Sequence, residues 1–226
     1  MTHVSTTTSP IRIIRSQRLL VVLDVDSTLI ENEVIELLAA EAGSRDLVAT
    51  VTERAMRGEI NFEQSLHDRV ATLAGLPVSV FDVVRSRIRV TKGVPELIAG
   101  VKAAGGHVGV VSGGFHELLD PLAADLGLDF WRANRLEVVD GELTGRVLGD
   151  IIDGTAKATA LSAWAFETHT SLNDTVAIGD GANDLAMMAV AGLSIAFCAK
   201  PIVAQHASVA LNVRDMAQVL EIIGLA

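Results

Sequence analysis

Short apolar runs that each stop at a polar or glycine residue punctuate the chain. They are Leu19–Leu23 before Asp24, His107–Val111 before Ser112, Thr175–Ile178 before Gly179-Asp180, and Leu193–Cys198. Runs without polar alternation suit parallel strands buried on both faces. Helical spacing separates the later runs, over Val94–Ala104, Phe115–Leu126, Ala156–Phe166 and Asn183–Ala191. Strand and helix in alternation predict a doubly wound α/β fold, three layers deep around a mostly parallel sheet. In such sheets chemistry gathers beyond the carboxyl ends of the strands, the position this pattern assigns to Asp24, Ser112 and Asp180.

The stretch 31–89 breaks the alternation. It reads as four helices, with stops at Gly43, Gly58 and Gly75 and with Pro77 opening the last. The first carries Val34, Ile35, Leu37, Leu38 and Ala42 at helical spacing. An all-helical insertion leaving the tip of the first strand would sit above the strand ends as a lid. The expected organisation is a loose lead-in over 1–18, a core built from 19–30 and 90–226, and a helical cap over 31–89. Asn134–Val139 and Glu142–Arg146 flank Asp140-Gly141, a pair that favours the type I′ hairpin turn.

Charge narrows the function. The 28 acidic and 18 basic side chains give a net charge of −10, which argues against nucleic acid or an anionic membrane surface as a partner. A hydrophobic share of 50% excludes global disorder. The longest uncharged stretch, Leu185–Ala199, has 15 residues, short of the roughly 20 a membrane span needs. The run Leu19–Leu23 is too short for a secretory signal and is broken by Asp24. The single cysteine, Cys198, cannot pair internally and is expected to be a buried, inert thiol. A soluble cytoplasmic protein is the expectation, with the oligomeric state left open.

Four local patterns carry chemistry. Asp24-Val25-Asp26-Ser27-Thr28 puts two carboxylates at a strand end, where ionised groups need a partner. A metal would explain both, as would divided nucleophile and acid roles; the plainer alternative is helix capping, with Ser27 or Thr28 as cap. Gly179-Asp180-Gly181-Ala182-Asn183-Asp184 ends another strand and opens a helix. Up to four carboxylates would then converge above one sheet edge and repel unless a cation neutralises them. Oxygen donors without nearby His or Cys point to Mg²⁺. Ser112-Gly113-Gly114 offers a hydroxyl and successive N–H groups at a helix start, either a phosphate cradle or an ordinary glycine turn. Lys157 begins a predicted helix, where a cation is mildly disfavoured unless an anion lies nearby and where a lysine is usually solvated. None of the six histidines sits in a motif.

In this order the four patterns resemble the motifs of the haloacid dehalogenase superfamily of phosphohydrolases: Asp-x-Asp-x-Thr, Ser, Lys and Gly-Asp-x-x-x-Asp. The resemblance covers about residues 19–213 and extends to the phosphoserine phosphatase family. Glu31-Asn32-Glu33, Met56-Arg57-Gly58, Asn61 to Leu66, and Arg69-Val70 carry that extension. It implies that Asp24 is the nucleophile and Asp26 the general acid and base. It further implies Mg²⁺ on the Asp24 carboxylate, the Asp26 carbonyl and Asp180, with Asp184 behind them orienting Lys157 or water at the metal. Ser112, the Gly113 N–H and Lys157 would hold phosphoryl oxygens, and Asn183 would add a hydrogen bond near the phosphate or the metal. Arg69 would pair with a substrate carboxylate, Glu33 with its ammonium, and Phe62 would exclude water. The implied reaction is Mg²⁺-dependent hydrolysis of O-phosphoserine in serine biosynthesis. Phosphohomoserine and phosphothreonine are alternative substrates, phosphoryl transfer to another acceptor an alternative reaction, and a silent phospho-metabolite sensor an alternative class. Many relatives carry an N-terminal regulatory domain for which 18 residues leave no room, so regulation through one is not expected.

Overall fold

Leu20–Leu23 (β1) is buried at every position and occupies the middle of a seven-stranded sheet. The structure is a computed structural model that describes residues 19–56 and 59–225, with Met56 in its backbone alone. The expected lead-in over 1–18 and the expected helix stop at Gly58 lie outside the described residues. The remaining strands are His107–Phe115 (β2), Phe130–Val139 (β3), Glu142–Leu148 (β4), Thr175–Gly179 (β5), Leu193–Phe197 (β6) and Val209–Leu211 (β7). Their order is β4-β3-β2-β1-β5-β6-β7, and every neighbouring pair is parallel except β3 with β4. At the β3–β4 turn both Asp140 (φ +51) and Gly141 (φ +83) are left-handed, as a type I′ turn requires.

Successive side chains of β1 leave on opposite faces, and two apolar clusters form accordingly. Val21 and Leu23 join one face with helices Val94–Ala103 (α5), His116–Leu126 (α6) and Gln218–Ile223 (α10). Leu20 and Val22 join the other with Gly154–Glu167 (α7), Leu185–Val190 (α8) and Pro201–His206 (α9). The inserted helices are Val34–Glu41 (α1), Arg45–Met56 (α2), Phe62–Ala71 (α3) and Val80–Arg85 (α4), and Leu38, Leu66, Val70 and Val84 merge into the first cluster. The chain enters and leaves this insertion side by side: Ile30 bridges Val90, and the Glu31 and Thr91 amides donate to Arg89 and Leu29 carbonyls at 2.8 and 2.9 Å.

Three expectations change. The second strand does not stop at Val111 but runs through Ser112-Gly113-Gly114, pairing Phe115 with Asn134 beyond a register shift. The two glycines therefore serve close approach of other groups rather than a turn. The predicted helix over 183–191 opens as a tighter turn at Ala182–Asp184, because the Gly181 amide donates to Asp184 Oδ2 at 3.0 Å. Cys198 is only half-buried, with φ +46, since it lies just past the end of β6. No helix among the described residues is long and apolar enough to cross a membrane.

Candidate active site

Asp24 is the first residue beyond β1, and its amide donates to the Ile178 carbonyl of β5 at 2.9 Å, so both neighbouring strands fix its position. Its carboxylate is buried against the ammonium of Lys157, which also pairs with Asp184 at 2.8 Å. A lysine in the first turn of a helix is ordinarily solvated; Lys157 is fully buried. Asp153 caps that turn by accepting the Ala156 N–H at 2.8 Å, aiming the helix start beneath the strand ends. Burial pushes the Lys157 pKa down, but the Asp184 and Asp24 carboxylates more than reverse this and hold it above the usual range. Burial likewise raises the Asp24 pKa well above normal; Lys157 offsets part of that, while Asp184 and Asp26 add to it.

Asp26 turns the other way. Its Oδ1 accepts the Val34 N–H at 2.8 Å, so Asp26 satisfies an amide at the start of α1, the role the sequence offered to Ser27 or Thr28. Thr28 Oγ1 lies 3.5 Å from Asp180 Oδ1, and Ser27 Oγ donates to Glu33 Oε1 at 2.6 Å. Burial and then the charge of Glu33 raise the Asp26 pKa to about 7. Asp180 rises to about 6, through burial and then Asp184 and Glu33. A methyl group at Gly114 would come within 3.0 Å of both Asp26 Oδ2 and Ser112 Oγ, so the absent side chain is what admits them.

These groups floor a cavity of about 780 Å³ beneath the inserted helices. Asp24, Asp26, Asp180, Gly113 and Asn183 face it from below, and Glu33, Phe62 and Arg69 from above. Ser112, Lys157 and Asp184 are buried behind its wall. The Phe62 ring covers Gly113, since a methyl there would lie 3.0 Å from its Cζ. Asn61 places that ring by capping α3, accepting the Gln64 N–H at 2.8 Å. Arg69 Nε donates to the Ser65 carbonyl at 3.0 Å; burial lowers its pKa, and Glu33 and Asp26 pull it back up. Lys200 also lines the cavity, and its amide donates to the Asp180 carbonyl at 3.1 Å. Sequence reasoning missed it, although a lysine just beyond a strand end carries the positional signal that marked Asp24 and Asp180. None of the described histidines lines the cavity, and the Met56 side chain, Arg57 and Gly58 lie outside the described residues.

A family model described as haloacid dehalogenase-like hydrolase matches residues 21–189. The chain belongs to the haloacid dehalogenase-like hydrolases. Among curated relatives, the phosphoserine phosphatase of Streptomyces coelicolor is 57% identical over 211 residues, covering 93% of this chain and 51% of that protein. That of Streptococcus thermophilus is 52% identical over 204 residues, covering 90% of this chain and 95% of that protein. The chain thus spans about half the length of the first and nearly all of the second. A solved phospho-aspartyl intermediate analogue of a phosphoserine phosphatase is 44% identical, with TM-score 0.87, over 92% of this chain and 100% of that one.

The residues of this haloacid dehalogenase-like hydrolase suit a divalent cation. Carboxylate oxygens of Asp24, Asp180 and Asp184 lie within 4.8 Å of one another. Among the described residues one buried ammonium, Lys157, answers the four carboxylates of Asp24, Asp26, Asp180 and Asp184, with the exposed Lys200 also acting on Asp180. The raised pKa values of Asp24, Asp26 and Asp180 are the expected signature of that deficit, and an all-oxygen donor set fits a hard ion. Asp184, expected behind the metal, brings one oxygen into this group while its charge also meets Lys157.

Proposed function

We propose that the chain is a phosphoserine phosphatase, cleaving O-phosphoserine to serine and inorganic phosphate with Mg²⁺. One observation carries the reading: Asp24, ion-paired to a buried Lys157, faces the same cavity as Asp26, whose pKa stands at about 7. A carboxylate nucleophile and a group able to give and then take a proton near neutrality are what phosphomonoester hydrolysis through an acyl phosphate needs. The names of the relatives, and Glu33 and Arg69 above the floor, support an amino-acid substrate.

In the first step an Asp24 oxygen attacks phosphorus, the bond from phosphorus to the serine oxygen breaks, and Asp26 gives that oxygen its proton. In the second, the Asp26 carboxylate takes a proton from water as the water oxygen attacks the aspartyl phosphate, releasing phosphate and restoring both aspartates. Lys157 and the Gly113 N–H counter charge on the phosphoryl oxygens, with Ser112 and Asn183 supplying further hydrogen bonds. Asp24, the Asp26 carbonyl and Asp180 would hold Mg²⁺, which supplies charge neutralisation for the carboxylates and the phosphoryl group together. Asp184 keeps Lys157 in place. Arg69 receives the substrate carboxylate, Glu33 its ammonium, and Phe62 closes the site to bulk water. The division into a core of 19–30 and 90–226 and a cap of 31–89 belongs to this proposal, as does a cytoplasmic location.

Phosphate release from O-phosphoserine, phosphohomoserine and phosphothreonine with Mg²⁺ tests it. O-phosphoserine is expected to give the highest kcat/KM, with activity lost in Asp24→Asn and on chelation. A higher kcat/KM for another ester, or turnover untouched by chelator, would overturn the substrate or the metal respectively.

A further inference from the structure

Ser27 stands between the two aspartates' turn and the cap in an uncommon conformation. Its φ of +58 and ψ of 1 place a residue that is not glycine in the left-handed region. Such a conformation persists only where surrounding contacts hold it. Three contacts do so, the first from the Ser27 amide to the Asn32 carbonyl at 3.1 Å. Ser27 Oγ donates to Glu33 Oε1 at 2.6 Å, and Arg214 Nη1 donates to the Ser27 carbonyl at 3.2 Å.

Arg214 lies just past β7, in a segment fixed against the return from the cap. The Met216 amide donates to the Lys92 carbonyl at 2.7 Å, and Lys92 pairs with Asp215 at 2.7 Å. A methyl at Gly93 would fall 2.2 Å from the Ala217 nitrogen, so the two backbones touch. The guanidinium itself rests 5.8 Å from the centroid of the buried Phe197 ring, a cation–π arrangement. Arg214 is exposed, and its guanidinium is held between this ring contact and the Ser27 carbonyl.

We propose that Arg214 is a positioning residue: it holds the Ser27 peptide so that the Ser27 hydroxyl keeps the Glu33 carboxylate at the cavity wall. Arg214 lines no part of the cavity, so its reach to the cavity runs through the Ser27 carbonyl that it holds. This rests on the assignment of Glu33 to a substrate ammonium.

The test compares Arg214→Ala, Arg214→Lys, Ser27→Ala and the Arg214→Ala/Ser27→Ala double variant on O-phosphoserine and on phosphoglycolate, which has a carboxylate but no ammonium. Losing one positioned hydrogen bond should raise KM for O-phosphoserine about tenfold in each alanine variant, with kcat within about threefold. KM for phosphoglycolate should stay within about twofold, and the double variant should be no worse than either single one, since the residues act in series. Arg214→Lys, which also donates, should recover most of the loss. Equal KM increases on both esters, additive effects in the double variant, or no effect would each overturn the inference. Hydrogen exchange over 25–33 gives a readout that needs no turnover. It should quicken in Arg214→Ala, and unchanged exchange also refutes the hold on Ser27. Were the unaltered protein inactive on both esters, the proposed function would fall while exchange still decided the role of Arg214.

Discussion

Replacing Lys157 with methionine keeps the length of a fully buried side chain and removes its charge. Two carboxylates then face each other without a counter-ion, Asp184 with a side chain 0% exposed and Asp24 with one 7% exposed. Breaking a buried ion pair by deleting one partner costs about 3–5 kcal/mol, because the stranded charge keeps its desolvation penalty. For a chain of 226 residues that corresponds to roughly 6–20 °C in Tm. The pH dependence has a definite sign. Asp24 already binds its proton more tightly in the folded state than when unfolded, and losing Lys157 strengthens this. Between the unfolded and folded pKa values the native state then holds more protons than the unfolded one, so stability falls as pH rises. The variant's deficit should be largest at pH 7.5 and should shrink at pH 5.5, where protonation relieves the repulsion. Thermal unfolding followed by circular dichroism, with chelator present at both pH values, measures it. A Tm at pH 7.5 equal to that of the unaltered protein, or a deficit as large at pH 5.5, would refute the reasoning.

The Asp26 pKa of about 7 predicts that kcat/KM for O-phosphoserine declines above neutrality, as the acid that protonates serine is lost. Asp26→Asn should remove that limb and lower kcat/KM by about two to four orders of magnitude, with a smaller loss on an aryl phosphate whose leaving group needs no proton; a retained limb points to another acid. In Gly179→Ala the new methyl would lie 2.3 Å from Asp184 Oδ2, and displacing that carboxylate and Lys157 with it should cost on the order of a hundredfold in kcat. Unchanged steady-state kinetics would show that Asp184 tolerates the shift. Thr91 is fully buried and its hydroxyl has no hydrogen-bond partner among the described residues, so Thr91→Val should raise stability by about 1 kcal/mol. A lower urea midpoint for that variant would reveal a partner, such as a buried water.

Much of the site was legible because it sits where a strand ends. Leu20–Leu23 and Thr175–Gly179 are buried at every position, so their apolar runs had to stop where the sheet opens to the cavity, and Asp24 and Asp180 followed directly. The hairpin was equally plain, because Asp140-Gly141 supplies two left-handed residues that few other pairs tolerate. Lys157 was harder. Its burial depends on Asp24 and Asp184, 133 and 27 residues away in sequence, and nothing local to a lysine in a helical first turn records where its ammonium ends. Gly113-Gly114 read as a turn for a related reason: the strand continues because β3 pairs with Phe115 and because Phe62, Asp26 and Ser112 fill the space that side chains would take. Strand β7, with three residues, and helices α9 and α10, with six each, are too short for any period to declare itself. Arg214 arrives from that illegible region, between β7 and α10. Its contact with Ser27, 187 residues away in sequence, depends on the segment after β7 docking against Lys92 and Gly93, so tertiary geometry alone joins that segment to the turn beside the nucleophile.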